Sequence, residues 1–87
     1  MEDQIKQLRE QINQLDQDLI AKLAERLAAV KQIGEIKKQL GLQVTDLGRE
    51  QELKVIHQTA CQKNGLAYAE IEALFQLIIA LSKKIQQ

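Results

Sequence analysis

The sequence predicts an all-α fold of three helices per chain, the first far longer than the others, paired into an intertwined helical homodimer. Apolar residues recur at Ile5, Leu8, Ile12, Leu15, Leu19, Leu23, Leu27, Val30, Ile33, Ile36 and Leu40, and the chain contains no proline. Spacings of three and four without a break are the signature of one continuous amphipathic helix. Such a helix would be roughly 54 Å long, whereas a compact chain of this size has a radius of gyration of only about 12 Å. A helix that outruns its own domain has to cover its apolar stripe with something else, and a second copy of the same stripe is the simplest cover.

The elements follow in order. The first helix runs over residues 5–40 and ends at Gly41, a residue suited to a left-handed C-cap. Residues 41–44 form a connector, and the side-chain oxygens of Thr45 and Asp46 can cap a second helix that extends to about Lys63 with Leu53, Ile56 and Ala60 inward. Asn64-Gly65 stops that helix, and a third runs from about Ala67 to Ile85 with Ile71, Leu74, Phe75, Ile78, Leu81 and Ile85 on its apolar face. Ser82 projects beside that face, and Gln86 follows a turn later at its edge. The expected lengths are about 35, 17 and 19 residues, in one domain spanning residues 1–87.

Composition excludes several functions. Apolar residues make up 45% of the chain, but there is one Phe, one Tyr and no Trp, so the core is aliphatic and no large aromatic pocket is available. Twelve basic and twelve acidic side chains cancel and are interspersed. A nucleic-acid partner, which requires a concentrated basic surface, is therefore not expected. No apolar run reaches the roughly 18 residues of a membrane span and the N-terminus is polar, so a cytoplasmic protein without membrane attachment is expected. One Cys61 and one His57 make neither a disulfide nor a zinc set, and both read as packing residues.

Two cations occupy places that a core helix would normally keep apolar. Arg26 and Lys37 lie eleven residues apart, about three turns and roughly 16 Å, and both project near the middle of the apolar stripe. A buried unpaired cation costs several kcal/mol, so an anion or a strong acceptor has to meet each one. A structural ion pair with another helix, or snorkelling of the long stems, would answer that need; two aligned cations favour a binding site. The inward or helix-start polar set is Arg26, Lys37, Asp46, Arg49, Glu50, Ser82 and Gln86. It contains no nucleophile with a base, and it suits a small dianion bearing hydroxyl or ether oxygens. Any catalysis would rest on positioning and electrostatics.

These residues carry a resemblance. Leu8-Arg9-Glu10-Gln11-Ile12 with Leu15-Asp16, then Ala24-Glu25-Arg26 and Ile33-Gly34-Glu35-Ile36-Lys37, resemble the long first helix of the all-helical chorismate mutases. Val44-Thr45-Asp46 with Arg49-Glu50 is similar to the family's loop and second-helix start, and Phe75-Gln76-Leu77-Ile78-Ile79 with Ser82 and Gln86 to its last helix. The resemblance spans essentially the whole chain and is nearest to the mutase domain at the N-terminus of bifunctional mutase and prephenate dehydratase enzymes.

The resemblance implies an intertwined homodimer that rearranges chorismate to prephenate in phenylalanine and tyrosine biosynthesis, with no cofactor, metal or covalent intermediate. It implies that Arg26, and Arg9 from the other chain, bind the two carboxylates, and that Lys37 and Gln86 donate to the ether oxygen. Glu50 and the backbone around Asp46 would hold the ring hydroxyl, while Arg49 and Ser82 complete the carboxylate contacts. Arg9 lies about 100° around the helix from Arg26, so one chain could not easily aim both at one small ligand. Gly48 and the position of Gln86 in a last turn are expected to loosen their surroundings. The alternatives are a non-catalytic dimer of the same fold and an isochorismate-pyruvate lyase, which need not retain Glu50.

Overall fold

A computed structural model describes residues 1–87 as three helices: α1 (Glu2–Leu40), α2 (Leu47–Lys63) and α3 (Tyr68–Gln86). The all-α class and all three helices agree with the sequence reading. The helix ends are built locally. Gly41 adopts φ 69°, and Leu42 N–H donates to Lys37 O at 2.8 Å, so a left-handed glycine closes α1. Gly65 repeats this after α2 with φ 69° and Leu66 N–H donating to Cys61 O at 2.9 Å. Of the two candidate caps of α2, Asp46 does the capping: its Oδ1 accepts from Arg49 N–H at 3.0 Å. Ala67 precedes α3 without a side-chain cap, as its lack of a polar oxygen requires.

α3 packs against the second half of α1 on one side and against α2 on the other, and α1 and α2 make no close approach to each other. Few residues are buried within one chain: Val30, Gly34, Cys61 and Ser82. The radius of gyration is 16.6 Å and the long axis 58 Å, against about 12 Å for a compact chain of this length. The first five turns of α1 project beyond the other helices with Ile5, Leu8, Ile12, Leu15, Leu19 and Ile20 all exposed. A Leu or Ile left about half exposed forgoes on the order of 1 kcal/mol of burial. No helix is long and apolar enough to cross a membrane.

The inward register of α2 differs from expectation. Ile56 is 53% exposed and Ala60 also faces out, whereas Leu53, His57 and Cys61 turn inward. The reason is that α2 meets only α3 within the chain, and the His57 ring stacks on Phe75 with centroids 3.9 Å apart. Both His57 and the buried Cys61 are thus packing residues. Leu74 and Leu81 of α3 are likewise exposed within the single chain, because α3 has no neighbour on that side.

Candidate active site

Where α1 and α2 fail to meet, α3 floors a cavity of about 240 Å³ that opens to the surface. This is slightly smaller than the roughly 300–1,000 Å³ of ordinary ligand sites, so its occupant is small. Seven of the eight residues singled out from the sequence line it: Arg26, Lys37, Asp46, Arg49, Glu50, Ser82 and Gln86. The apolar wall is Ala29, Val30, Ile33, Val44, Leu53 and Ile79. Arg9 is elsewhere, in a shallow depression with Glu2, Ile5, Lys6, Glu10 and Asn13, about 25 Å along α1 from Arg26 by helical rise.

Arg26 and Lys37 are each held by a neutral group. Arg26 Nη1 donates to Ser82 Oγ at 2.6 Å, and that hydroxyl donates in turn to Ile78 O at 2.7 Å. The single proton of Ser82 is thereby committed to the backbone of α3, leaving its lone pairs to orient the guanidinium. Lys37 Nζ donates to Val44 O at 2.8 Å, tying the connector to the end of α1. An ammonium has three donors, so two remain. Neither residue has a carboxylate within ion-pair distance; the ion pairs of the chain are Lys22–Glu25, Arg49–Glu52 and Lys83–Glu50. A structural ion pair within the chain therefore does not account for Arg26 or Lys37. Burial, and after it the Arg49 guanidinium, hold Arg26 below its ordinary pKa.

Two acceptors in the cavity wait for donors. Glu50 Oε2 and Gln86 Oε1 are buried with no hydrogen-bond partner, although Glu50 Oε1 lies 3.1 Å from Lys83 Nζ. Orphaned buried oxygens are rare and costly, on the order of 1–3 kcal/mol each. Lys83 also lines the cavity but was not among the residues singled out in the sequence. A lysine in the last turn of a helix looks like ordinary dipole complementation; its only distinguishing mark was its place next to Ser82. With Lys83 the lining holds four cations against the two carboxylates of Asp46 and Glu50, an excess of two positive charges. Such a lining can bind a small dianion, accept from its hydroxyl, and direct ammonium and amide donors at a third oxygen.

Comparison with known proteins agrees with this chemistry. Residues 8–87 match the family described as chorismate mutase type II. A protein named chorismate mutase from Methanocaldococcus jannaschii is 26% identical over 87 residues, covering 100% of this chain and 88% of that relative. The match takes in α2, α3 and all of α1 beyond its first two turns, and with it every residue lining the cavity, so the chain belongs to the chorismate mutase type II family.

Proposed function

We propose that the cavity is the active site of an isomerase that converts chorismate to prephenate by intramolecular rearrangement, supplying phenylalanine and tyrosine biosynthesis. The observation that carries this is the lining itself, in which two excess positive charges meet two buried oxygens without donors. Chorismate brings two carboxylates, one ring hydroxyl and one ether oxygen. Within the family, the resemblance that spans the chain from Leu8 to Gln86 is taken as kinship with the mutase domains of bifunctional mutase and prephenate dehydratase enzymes.

In this reading Arg26, aimed by Ser82, takes one carboxylate, and Arg49 adds to the field that holds the dianion. Glu50 Oε2 accepts from the ring hydroxyl beside the backbone at Asp46. As the ether C–O bond breaks and the new C–C bond forms, negative charge gathers on the ether oxygen, which the two free donors of Lys37 are there to meet. A half-turn of the Gln86 amide exchanges its buried acceptor for a donor at the same place, which supplies the second contact. No proton is transferred and no covalent intermediate forms. Rate enhancement comes from holding the chair-like conformer and from donors already oriented toward the developing charge.

The site is completed by a second copy of the chain. The uncovered apolar residues of α1 from Ile5 to Ile20 support a homodimer, and the 25 Å separation along the helix supports Arg9 acting in the partner's cavity, on the second carboxylate. Incubation of the purified protein with chorismate, following loss of its absorbance and identifying the product, tests the reading. Prephenate is expected; pyruvate released from isochorismate would identify a lyase, and no turnover of either would leave a non-catalytic dimer. The orphaned Glu50 oxygen favours the mutase, since the lyase has less need of an acceptor there.

A further inference from the structure

Two donors on different helices can meet one oxygen only if the helices are held at a fixed separation, and the contact that sets this separation is made by a residue with no side chain. Gly34 lies on α1 one turn before Lys37 and is buried beneath the last turn of α3. A glycine inside a helix costs about 0.5–1 kcal/mol relative to alanine, so its presence there calls for a packing reason. The geometry supplies one. A Cβ at Gly34 would stand 2.9 Å from Gln86 Cα, 3.1 Å from Gln86 Cγ and 3.2 Å from Gln86 Cβ, well inside the roughly 3.5–4.0 Å at which carbon atoms rest.

The other three glycines answer to different needs. Gly41 and Gly65 take a left-handed φ with open space where a Cβ would be, and at Gly48 a Cβ would meet only Asp46 Oδ1 at 3.5 Å. At Gly34 alone the missing methyl group lets the backbone of another helix come close, and the residue admitted is Gln86.

We infer that Gly34 is a positioning residue that sets the depth of Gln86 in the cavity and its separation from Lys37. The inference rests on reading the cavity as a mutase site. Because the nearest atom is the Gln86 backbone, a methyl group at Gly34 cannot be accommodated by rotating a side chain. The last turn of α3 has to move outward, carrying the amide away from the oxygen that Lys37 meets. The rest of the interface, including Arg26 with Ser82, lies further from Gly34 along α1 and keeps its place.

The test compares wild type, Gly34→Ala, Gln86→Ala and the double variant for kcat and KM on chorismate, for thermal midpoint, and for the side-chain amide cross-peak of Gln86 in ¹⁵N-labelled protein. Gly34→Ala is expected to remain folded, to lower kcat at least tenfold with a smaller change in KM, and to shift the Gln86 cross-peak. In the Gln86→Ala background the same substitution should change kcat less than twofold, because the group it acts through is gone. Near-normal kcat in folded Gly34→Ala, a full additional loss in the double variant, or failure of Gly34→Ala to fold would each overturn the inference. If wild-type protein leaves chorismate unchanged, the mutase reading fails by itself, and the Gln86 cross-peak still reports whether Gly34 sets the position of that amide.

Discussion

Lys83 Nζ pins one oxygen of the Glu50 carboxylate at 3.1 Å while the other oxygen of the same group is buried without a donor. The pair joins the start of α2 to the end of α3 across the cavity mouth, and it fixes which oxygen is presented inward. With both side chains about one-third exposed, the pair itself is worth at most about 1 kcal/mol of stability. Lys83→Met should therefore move the thermal midpoint by no more than a few degrees and raise KM severalfold by freeing the carboxylate to rotate. Glu50→Gln removes a charged acceptor, and hydrogen bonds to charged groups are worth about 1.5–3 kcal/mol. A fall of about ten- to hundredfold in kcat/KM is expected, and it should shrink for a dicarboxylate substrate analogue lacking the ring hydroxyl. Unchanged kcat/KM in Glu50→Gln would remove Glu50 from the site.

Lys37 and Arg26 carry the charge of the cavity without a carboxylate partner in the chain. Replacing one member of a structural buried ion pair costs about 3–5 kcal/mol, because the other charge is stranded. Here removal strands only Val44 O or Ser82 Oγ, and the Ser82 hydroxyl keeps its bond to Ile78 O. Arg26→Met also removes the desolvation of a charged group, the larger cause of the lowered Arg26 pKa, and after it the repulsion from Arg49. Its thermal midpoint should be unchanged or higher, while KM rises. For Lys37→Met, the loss of a donor to developing oxyanion charge predicts a fall in kcat of about a hundred- to thousandfold. A Lys37→Met protein with near-normal turnover would falsify the assignment of this lysine to the ether oxygen.

What the sequence made legible is what depends on neighbours in the chain. Asp46 three residues before Arg49, Gly41 after α1 and Asn64-Gly65 after α2 are local capping signals, and the structure uses all of them. Arg26 and Lys37 were conspicuous because they interrupt an apolar stripe. The register of α2 was not legible, because its apolar residues are spread around the helix: choosing His57 over Ile56 as the inward residue requires knowing that the only neighbour in the chain is α3 and that Phe75 lies opposite. The Arg26 to Ser82 contact spans 56 positions, a distance over which periodicity carries no information. Lys83 and Gly34 were missed for a related reason. Their meaning lies in Glu50 and Gln86 on other helices, and the one local hint was a glycine inside a helix where neither a cap nor a turn needed it.

His57 provides a pH signature. Burial first, then Arg26 and then Arg49, hold its pKa below the ordinary value of 6.5, so the folded protein favours the neutral ring stacked on Phe75. The unfolded chain binds the proton more readily in that range, and stability therefore rises with pH there. This contribution is complete above about pH 6.5, declines as the pH falls through the window between the unfolded and folded pKa values, and stops declining below the folded value. Thermal midpoints between pH 7.5 and 5 should fall more for wild type than for His57→Leu, which keeps an apolar contact with Phe75. A bound dicarboxylate neutralises part of the guanidinium field, so the imidazole resonances should titrate closer to the ordinary value in the complex. Equal slopes for the two proteins would mean that His57 is not the titrating group.

Arg9 tests whether the site spans two chains. Within one chain it lies apart from the cavity, so a role in catalysis requires delivery from a partner whose α1 runs antiparallel across the two-fold axis. Arg9→Ala and Lys37→Met should each be nearly inactive as pure proteins. In a mixed dimer, one cavity receives the intact Lys37 of the first chain and the intact Arg9 of the second, while the other cavity carries both lesions. Unfolding and refolding an equimolar mixture puts half of the protein into mixed dimers, each with one whole site of two, so activity should recover to about a quarter of wild type. An Arg9 that served its own chain would be paired with an intact Lys37 in neither kind of cavity, and mixing would restore nothing. Sedimentation equilibrium on the same samples closes the argument: a folded monomer at micromolar concentration would rule out the shared site whatever the kinetics showed.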